Sequence, residues 1–496
     1  MLETIALDDF AVKKLEMFHQ LFDFDDGVYS PRFFKQYSEF SYARLISLFS
    51  EMNEDFQQQA DFSLLSEDGK VVIDKEELIK IPYQQFLFQE SIAYKFLLAA
   101  ILEKNYRLED FCEENYISRA SVLRRLNPLI NYLKKFDIQI NCSKMKITGN
   151  EAIIRIVYFN FFWLTSFGED FFVALDEKKR GPELFDFSDK QLMKYVEPRQ
   201  WFLLTSINRL RLEKAHYLDE TPFDQLVYPE TNLSYFDELK QLGVSAEFRS
   251  RECDFLSYML FYWIPYFHFD DPRIPYVRSY MLSDNHPLDD LIDRFQFFYS
   301  HSLGDLSLTN EEKELLHINI FTTVLNHAIR ENTLPLAVDF SFDLFKGHHP
   351  LFEPLFKNIQ SFLRSTAQME QYQWLINCID HLSYTCAVFL LPYVERSRKN
   401  HLLRVGIILF QNAIVSQSLF EYLSKIPFVD VDLITSSAKK DYDFYIATSP
   451  LLLPKSVRRK GNFKLITLTE MENYQKILFS TLQEKYTEKT NKFIAG

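Results

Sequence analysis

Glycine is scarce in this chain, which has only 11 glycines among 496 residues. Turn-rich all-β folds depend on glycine for backbone angles that other residues adopt at a cost, so the shortage argues against such folds. Phe and Tyr are abundant, and aromatic residues reach 16 % of the chain. At roughly 100 to 200 residues per domain, the length predicts three to five domains. We expect these domains to be predominantly helical.

The chain also lacks the marks of export and of membrane insertion. Its five cysteines show no metal-ligand spacing, and their odd number favours reduced thiols. Glu3, Asp8 and Asp9 occupy the region where a signal peptide would be basic. The apolar runs are much shorter than the roughly 20 residues that a membrane span needs. These features predict a soluble, cytoplasmic protein that does not associate with membranes.

Sequence motifs of catalysis are missing as well. The chain contains no Gly-rich phosphate loop, no HExxH motif and no nucleophile elbow. His348 and His349 are adjacent, but no cysteines or clustered carboxylates accompany them as further metal ligands. We therefore expect no enzymatic activity, no cofactor and no metal site.

Positive charge is concentrated in one place, although the whole chain has a net charge of −14. Residues 118–149 contain a single acidic residue, Asp137, and carry a local net charge of +6. The cations of this basic island are Arg119, Arg124, Arg125, Lys134, Lys135, Lys144 and Lys146. A basic island in an acidic protein predicts a binding surface for a polyanion.

The pattern around the island is that of a helix-turn-helix followed by a β-wing. Leu108 and Phe111 have helical spacing, Asn115 suits a tight turn, and Ser118 is a good cap for a second helix. That helix carries an apolar stripe at residues 122, 126 and 129. Two short alternating strands follow, joined by a turn at residues 141–144.

The second helix is the expected reading helix. In such modules its first residues contact base edges in the major groove, while the wing lies near phosphates. The predicted DNA contacts are Ser118, Arg119, Ser121, Arg124, Arg125, Lys144 and Lys146. An alternative is that these residues are only the solvated face of a helical domain. Pro128 is expected to kink or break the helix, which would limit the reading segment to residues 118–127.

Residues 1–75 show the same order of three helices and a hairpin. The helices are predicted from residues 11–22, from Ser30 and from Ser41, and the hairpin over residues 62–73. Arg44 is the only cation on the helix equivalent to the reading helix. This second winged module is therefore expected either to add an auxiliary DNA contact through Arg44 or to serve in packing.

The rest of the chain changes character twice. A long helix is expected over residues 88–102, and an apolar one over 151–167. Residues 168 to about 395 read as successive helices, with proline-rich breaks that suggest a boundary near residue 285. The last hundred residues alternate strands with helices, which predicts a small α/β domain. Its strands are expected at 402–410, 429–435, 442–447 and 463–468.

Two motifs and the order of domains resemble a known family. The run YISRASVLRRL at 116–126, followed by ITGNE at 147–151 and by Ile154 and Arg155, is similar to a pattern of the Mga/AtxA-type virulence regulators of Gram-positive bacteria. That pattern is iS-x-S-x-x-R-x-L, then I-x-G-x-E-x-x-I-R, in the central DNA-binding domain. The resemblance implies a transcription regulator that binds double-stranded promoter DNA and acts as a homodimer.

The resemblance also implies a fold, namely a mainly α multidomain protein. It predicts two winged helix-turn-helix modules, two all-helical domains like the phosphotransferase-system regulation domains (PRDs), and a C-terminal α/β domain like a sugar-transporter IIB component. The expected limits are 1–75, 76–167, 168–285, 286–397 and 398–496.

Histidine phosphorylation by phosphotransferase-system proteins is a further implication of the resemblance. The stretch RLEKAH at 211–216 is similar to the family's R-x-x-x-G-H, with Ala215 in place of glycine, and it nominates His216. In the second PRD-like domain, His327 and His381 are both candidates. A phosphoryl group adds about −1.5 to −2 of charge and can reset a helix interface. The alternative for each histidine is an ordinary surface or core imidazole.

The IIB-like domain departs from the transporter component. FQN stands at residues 410–412, where a phosphocysteine is expected, and no cysteine follows Cys386. We therefore expect this domain to dimerise and not to transfer phosphoryl groups. A competing hypothesis for the whole chain is a non-catalytic interaction scaffold in which the winged modules only oligomerise.

Overall fold

A computed structural model describes most of the chain. The described residues are 2–60, 62–103, 107–169, 171, 192–218, 226, 239–282, 288–303, 306, 308–328, 335, 349, 351–397, 402–408, 413–434, 441–454, 457–458, 461–466 and 474–494. The chain forms two compact units, Met1–Tyr280 with Thr333–Ser341, and Met281–Asn332 with Phe342–Gly496. The finer division into five domains remains a prediction.

The first unit contains helices and two small antiparallel sheets. Its described α-helices are α1 Leu2–Ala6, α2 Asp9–Leu21, α3 Tyr42–Gln59, α4 Lys75–Leu78, α5 Tyr83–Glu90, α6 Ile92–Leu102, α7 Leu108–Glu114, α8 Arg119–Leu133, α9 Glu151–Ser166, α10 Pro198–Glu213, α11 Ala246–Tyr258 and α12 Ile274–Met281. Its described strands are β1 Gly27–Tyr29, β2 Val71–Ile73, β3 Gln139–Asn141 and β4 Lys146–Thr148. Short 3₁₀ turns occur at Phe33–Tyr37, Lys134–Phe136, Cys142–Lys144 and Leu192–Lys194, and a π-helical turn at Met259–Trp263.

The N-terminal segment differs from the predicted winged module in two details. The helix expected to open at Ser30 is a 3₁₀ turn, Phe33–Tyr37. The expected hairpin over residues 62–73 is reduced to one bridge, between Leu65 and Val71, and β2 pairs along its length with β1 instead. Sequence patterns could not reveal β1, because a three-residue strand is too short for an alternating pattern.

The single helix predicted over residues 88–102 is also wrong, because the structure has α5 and α6 there. Ser91 separates the two helices. Its backbone is extended, and its side chain accepts a hydrogen bond from the Tyr94 N–H at 3.2 Å. Serine favours such local hydrogen bonds to the backbone over a place inside a helix, and here it caps α6.

The central module, α7 to β4, has the predicted helix-turn-helix and wing. The apolar stripe of α8 is buried, and α8 packs against α1, α6 and α7. The expected break at Pro128 is absent, since α8 continues to Leu133. An interior proline costs about 3 kcal/mol. Burying Leu129, Tyr132 and Leu133 beyond it offsets this cost, because each large apolar side chain contributes about 1.5 to 3 kcal/mol.

The helix α9 connects the wing to the following helices. Nearly all of its residues are buried, as the apolar sequence predicts. It packs against α5 and α10, and α10 also contacts α6. α10 therefore packs directly against α6 and α9, the helices that precede and follow the central module in the chain.

The second unit combines helices with a parallel sheet. Its described α-helices are α13 Asp289–Ser302, α14 Asn310–Ala328, α15 Phe352–Thr366, α16 Ile379–Ser397, α17 Ala413–Ser424 and α18 Tyr474–Ile494, with 3₁₀ turns at Glu370–Asn377 and Pro450–Leu452. Its described strands are β5 Leu403–Ile408, β6 Val429–Leu433, β7 Phe444–Ala447 and β8 Phe463–Leu465.

The four strands of the second unit form one parallel sheet in the order β6-β5-β7-β8. Val405 faces Val431 on one side and Phe444 on the other, so β5 is central. The side chains of β5 and β7 are almost all buried, as expected for parallel strands covered on both faces. The four strands fall within the predicted segments.

Two further features concern the whole described chain. All five cysteines are free thiols, and three of them are buried. Among the described residues, no single helix has the length and apolar character to cross a membrane. Glu370–Asn377 and Ile379–Ser397 meet that standard only as a pair, and the pair is bent by 84°.

Gly149, at the end of the wing, offers a test of the fold. Its φ is +151°, and a Cβ there would lie 3.1 Å from the backbone oxygen of Asp137. Gly243 also has a positive φ, but a Cβ there would meet nothing within 4 Å. In both Gly→Ala variants, backbone strain should lower the free energy of unfolding by about 1 kcal/mol. Gly149→Ala should lose about 1 to 3 kcal/mol more to overpacking, measured by denaturant unfolding. Equal losses in the two variants would contradict the close approach.

Candidate nucleic-acid interface and histidine sites

The N-terminus of α8 is fixed by two serines. Ser118 Oγ accepts a hydrogen bond from the Ser121 N–H at 3.3 Å and donates one to Ser121 Oγ at 3.0 Å. Ser118 therefore acts as the helix cap, as its sequence position predicts. The arrangement orients the first turn of α8, from which Arg119 projects.

The cations on the first two turns of α8 face solvent. The Arg119 side chain is 60 % exposed and lies 3.5 Å from the exposed carboxylate of Glu109. Such an exposed pair is worth at most about 1 kcal/mol and is screened by salt. Arg124 is exposed and forms no ion pair with any described residue. Neither guanidinium is held inside the protein, so both are available to an anionic partner.

Arg125 has a different environment. Its guanidinium lies 3.1 Å from the carboxylate of Asp8, just before α2. This pair joins α8 to the start of α2 in the N-terminal segment. Arg44 of that segment lies over the ring of Phe40, with 5.2 Å between the guanidinium carbon and the ring centroid. Its side chain is exposed.

The wing presents two lysines to solvent. Asn141 Oδ1 accepts a hydrogen bond from the Lys144 N–H at 3.0 Å and shapes the turn between β3 and β4. Met145 and Ile147 point into the core, so Lys144 and Lys146 alternate outward. Neither lysine side chain has an ion-pair partner among the residues described.

Tyr116 is a surface residue that follows Asn115 in the predicted turn between α7 and α8. It is 96 % exposed and has a positive φ of 50°. A bulky side chain in the left-handed region is unusual. It lies two residues before Ser118, at the start of the reading helix. The sequence marks the turn, but it does not reveal this exposure.

His216 is half-buried and touches the end of α6. Its Nε2 lies 2.5 Å from Oε1 of Glu103. Its backbone carbonyl accepts a hydrogen bond from Nη2 of Arg155 at 2.9 Å. Ala215 before it has a φ of +59°, which explains why glycine suits this position in the resembling motif.

A buried ionic network lies next to His216. Arg155, on α9, is fully buried and donates to both oxygens of the Glu252 carboxylate on α11, and its Nε donates to Glu151 at 3.0 Å. Arg211, on α10, donates to both oxygens of Glu151 at 2.8 and 2.7 Å. The same guanidinium lies 3.5 Å from Glu103. Carboxylates and guanidiniums alternate in this set of ion pairs, which we call the junction network. In order of contact its members are Glu103, Arg211, Glu151, Arg155 and Glu252.

The junction network also shifts the pKa of Glu151. Burial by itself would raise the pKa of this carboxyl, but the hydrogen bonds and charges of Arg211 and Arg155 outweigh burial and lower it. Glu151 is therefore a carboxylate at neutral pH, and the pairing with two guanidiniums offsets the cost of its desolvation.

The two histidine candidates in the second unit differ in accessibility. His327 is fully buried, and neither of its ring nitrogens has a hydrogen-bond partner among the described residues. Burial, with a smaller effect of His381, lowers the pKa of His327 to about 3. His381 lines a surface cavity of about 620 Å³ together with Arg364, Gln373, Asn377 and Asp380.

Comparison with known proteins agrees with the helix-turn-helix geometry of the central module. Residues 82–162 match the family model of the Mga helix-turn-helix domain. The chain carries an Mga-type helix-turn-helix domain. A second similarity is to the capsule synthesis positive regulator AcpB of Bacillus anthracis, with 28 % identity over 107 residues. That match covers 20 % of this chain and 22 % of the relative, so it concerns about a fifth of each protein. Both findings agree with the resemblance to the Mga/AtxA-type regulators.

Within the Mga domain, the residues of the resembling motif divide into two groups. Arg119 and Arg124 are exposed, whereas Glu151 and Arg155 are turned into the junction network. The second half of the motif thus serves to join the Mga domain to the next helices and makes no part of the exposed cationic surface. Sequence reasoning missed the partner Glu252, because it lies about a hundred residues away from Arg155.

The buried imidazole of His327 generates a pH-dependence. Between pH 6.5 and about 3 the unfolded chain binds a proton at this residue and the folded chain does not, so the free energy of unfolding falls as pH falls. His327→Leu should remove this contribution to the pH-dependence of the free energy of unfolding. Its melting temperature should therefore drop less than that of the wild type between pH 7 and pH 5. The exposed His301→Leu is the control. An unchanged pH-dependence in His327→Leu would contradict the assignment.

Proposed function

We propose that this protein is a DNA-binding transcription regulator. The observation that carries the proposal is the cationic surface of the Mga domain, formed by Arg119, Arg124, Lys144 and Lys146 on α8 and the wing. Its side chains are exposed in a protein whose net charge is −14. The similarity to a regulator named for positive control of capsule synthesis supports a role in transcription.

The arrangement suits recognition of a duplex in two parts. The first turns of α8 are narrow enough for the major groove, which admits a helix, and arginine is the residue that pairs best with guanine there. The wing lysines are placed to contact phosphates, which fix register and carry no sequence information. We assign base contact to Arg119, Ser121 and Arg124. Ser118 contributes as the cap of the reading helix, and Arg125 through its pair with the N-terminal module.

Arg124 provides the sharpest test of this assignment. Arg124→Ala should weaken binding to the DNA upstream of the gene about tenfold or more, since a base-reading arginine is worth about 1 to 3 kcal/mol. The measurement is a gel shift or fluorescence anisotropy titration at fixed salt. The matched control is Arg199→Ala, which removes the same charge from an exposed helix end in the same unit and should bind like the wild type.

Two results would contradict the assignment. If Arg124→Ala binds DNA with wild-type affinity, the assignment of α8 as the reading helix is wrong. Absence of DNA binding by the wild type, together with a stable oligomer, would favour the interaction scaffold in which the winged modules only oligomerise.

We further propose that phosphotransferase-system proteins phosphorylate His216 and His381. The phosphoryl group would leave a phosphorylated donor protein as a new N–P bond forms, and the receiving imidazole would lose its N–H proton. His216 is half-buried, and His381 lines the surface cavity, where the guanidinium of Arg364 can stabilise a phosphoryl charge. His327 is excluded from this proposal, because a fully buried ring is out of reach of a donor protein.

Phosphate incorporation from the general phosphotransferase proteins tests these sites. His216→Ala and His381→Ala should each lower the label, and the double variant should incorporate none although His327 is still present. His268→Ala, an exposed histidine of the first unit, is the control and should label like the wild type. Undiminished labelling of the double variant would show that the acceptors are elsewhere.

We also propose that the C-terminal part of the second unit forms a homodimer. Its parallel sheet lacks a cysteine that could carry a phosphoryl group. Leu451 is 80 % exposed, and Leu433 on β6 is about half exposed. Leu433 lies on the edge strand β6, and exposed apolar residues such as these two favour contact with a second copy.

A further inference from the structure

The wing and the junction network are adjacent in the chain. β4 ends at Thr148, and Glu151 begins α9 after only Gly149 and Asn150. The carboxylate that Arg211 and Arg155 hold is therefore three residues from the end of the wing. Whatever fixes Glu151 also fixes the strand that carries Lys146.

Arg211 contacts two carboxylates, that of Glu151 beside the wing and that of Glu103, which His216 also contacts. Its Nε and Nη2 donate to the two oxygens of Glu151, and its Nη1 lies 3.5 Å from Oε1 of Glu103. The same Glu103 oxygen contacts Nε2 of His216. Arg211, Glu103 and Glu151 are each less than one-fifth exposed. In this setting charges interact more strongly than in water.

We infer that Arg211 is a positioning residue that couples the charge at His216 to the geometry of the DNA-binding wing. The inference rests on the proposed modification of His216. A negative group on that ring repels Glu103 and attracts the guanidinium of Arg211. As Arg211 turns toward the new charge, Glu151 loses its two-point partner and keeps only Arg155. The wing then loses the ion pair between Arg211 and Glu151 that helps to hold the end of β4 in place.

The sharing of one guanidinium makes this coupling specific. Glu252 still holds Arg155 from the other side, so the core of the junction network stays paired. The change is therefore confined to Arg211, Glu151 and the adjoining wing. It alters the placement of Lys144 and Lys146 without unfolding the module.

Hydrogen exchange of the full-length, DNA-free protein tests the inference, using four proteins: wild type, His216→Asp, Arg211→Gln and the double variant. His216→Asp should raise exchange of the β3 and β4 amides about tenfold. Arg211→Gln should raise it by a similar factor, and adding His216→Asp should then change nothing further. His268→Asp, the same charge change at an exposed histidine in the same unit, should leave the wing at its wild-type rate.

Independent, multiplying effects of the two substitutions would overturn the inference, as would an unchanged wing in His216→Asp. Should Arg211→Gln fail to fold, Arg211→Lys replaces it, since lysine keeps the charge but loses the two-point geometry. Because exchange is read without DNA, a protein that binds no DNA but shows the coupling would refute only the proposed function. Normal DNA binding without the coupling would refute only this inference.

Discussion

The fully buried guanidinium of Arg155 is the constraint on which the first unit depends. An unpaired charge cannot remain buried, because removing one partner of a buried ion pair costs about 3 to 5 kcal/mol. Its partner Glu252 comes from α11, and Glu151 comes from the start of α9. The Mga domain and the helices that follow it are therefore obliged to fold against each other.

Charge is sorted by position across this unit. The inward-facing guanidiniums of the junction network are neutralised by carboxylates that include distant ones such as Glu252, and those of Arg119 and Arg124 on α8 face outward. The outward set carries the proposed binding function, and the inward set holds its frame. Arg125 and Arg211 belong to neither set alone, since each joins the Mga domain to a neighbouring element.

The sequence predicted what short-range patterns encode. The cap at Ser118, the buried stripe of α8, the wing and the parallel strands all follow from local periodicity. It failed at Pro128 and at Ser91, where packing or a single cap decided between continuing and breaking a helix. It could not find the junction network, because residues 103, 151, 211 and 252 are brought together only by tertiary packing. It also could not choose between His327 and His381, which burial now separates.

The cationic surface of the Mga domain is proposed to bind a nucleic-acid duplex, although the whole chain has a net charge of −14. The most direct test of this proposal is the salt dependence of wild-type binding to the DNA upstream of the gene. The two wing lysines assigned to phosphates, Lys144 and Lys146, predict that the logarithm of the association constant falls as the logarithm of salt concentration rises, with a slope of about −2 for each bound protomer. A flat dependence, or affinity that rises with salt, would contradict the account.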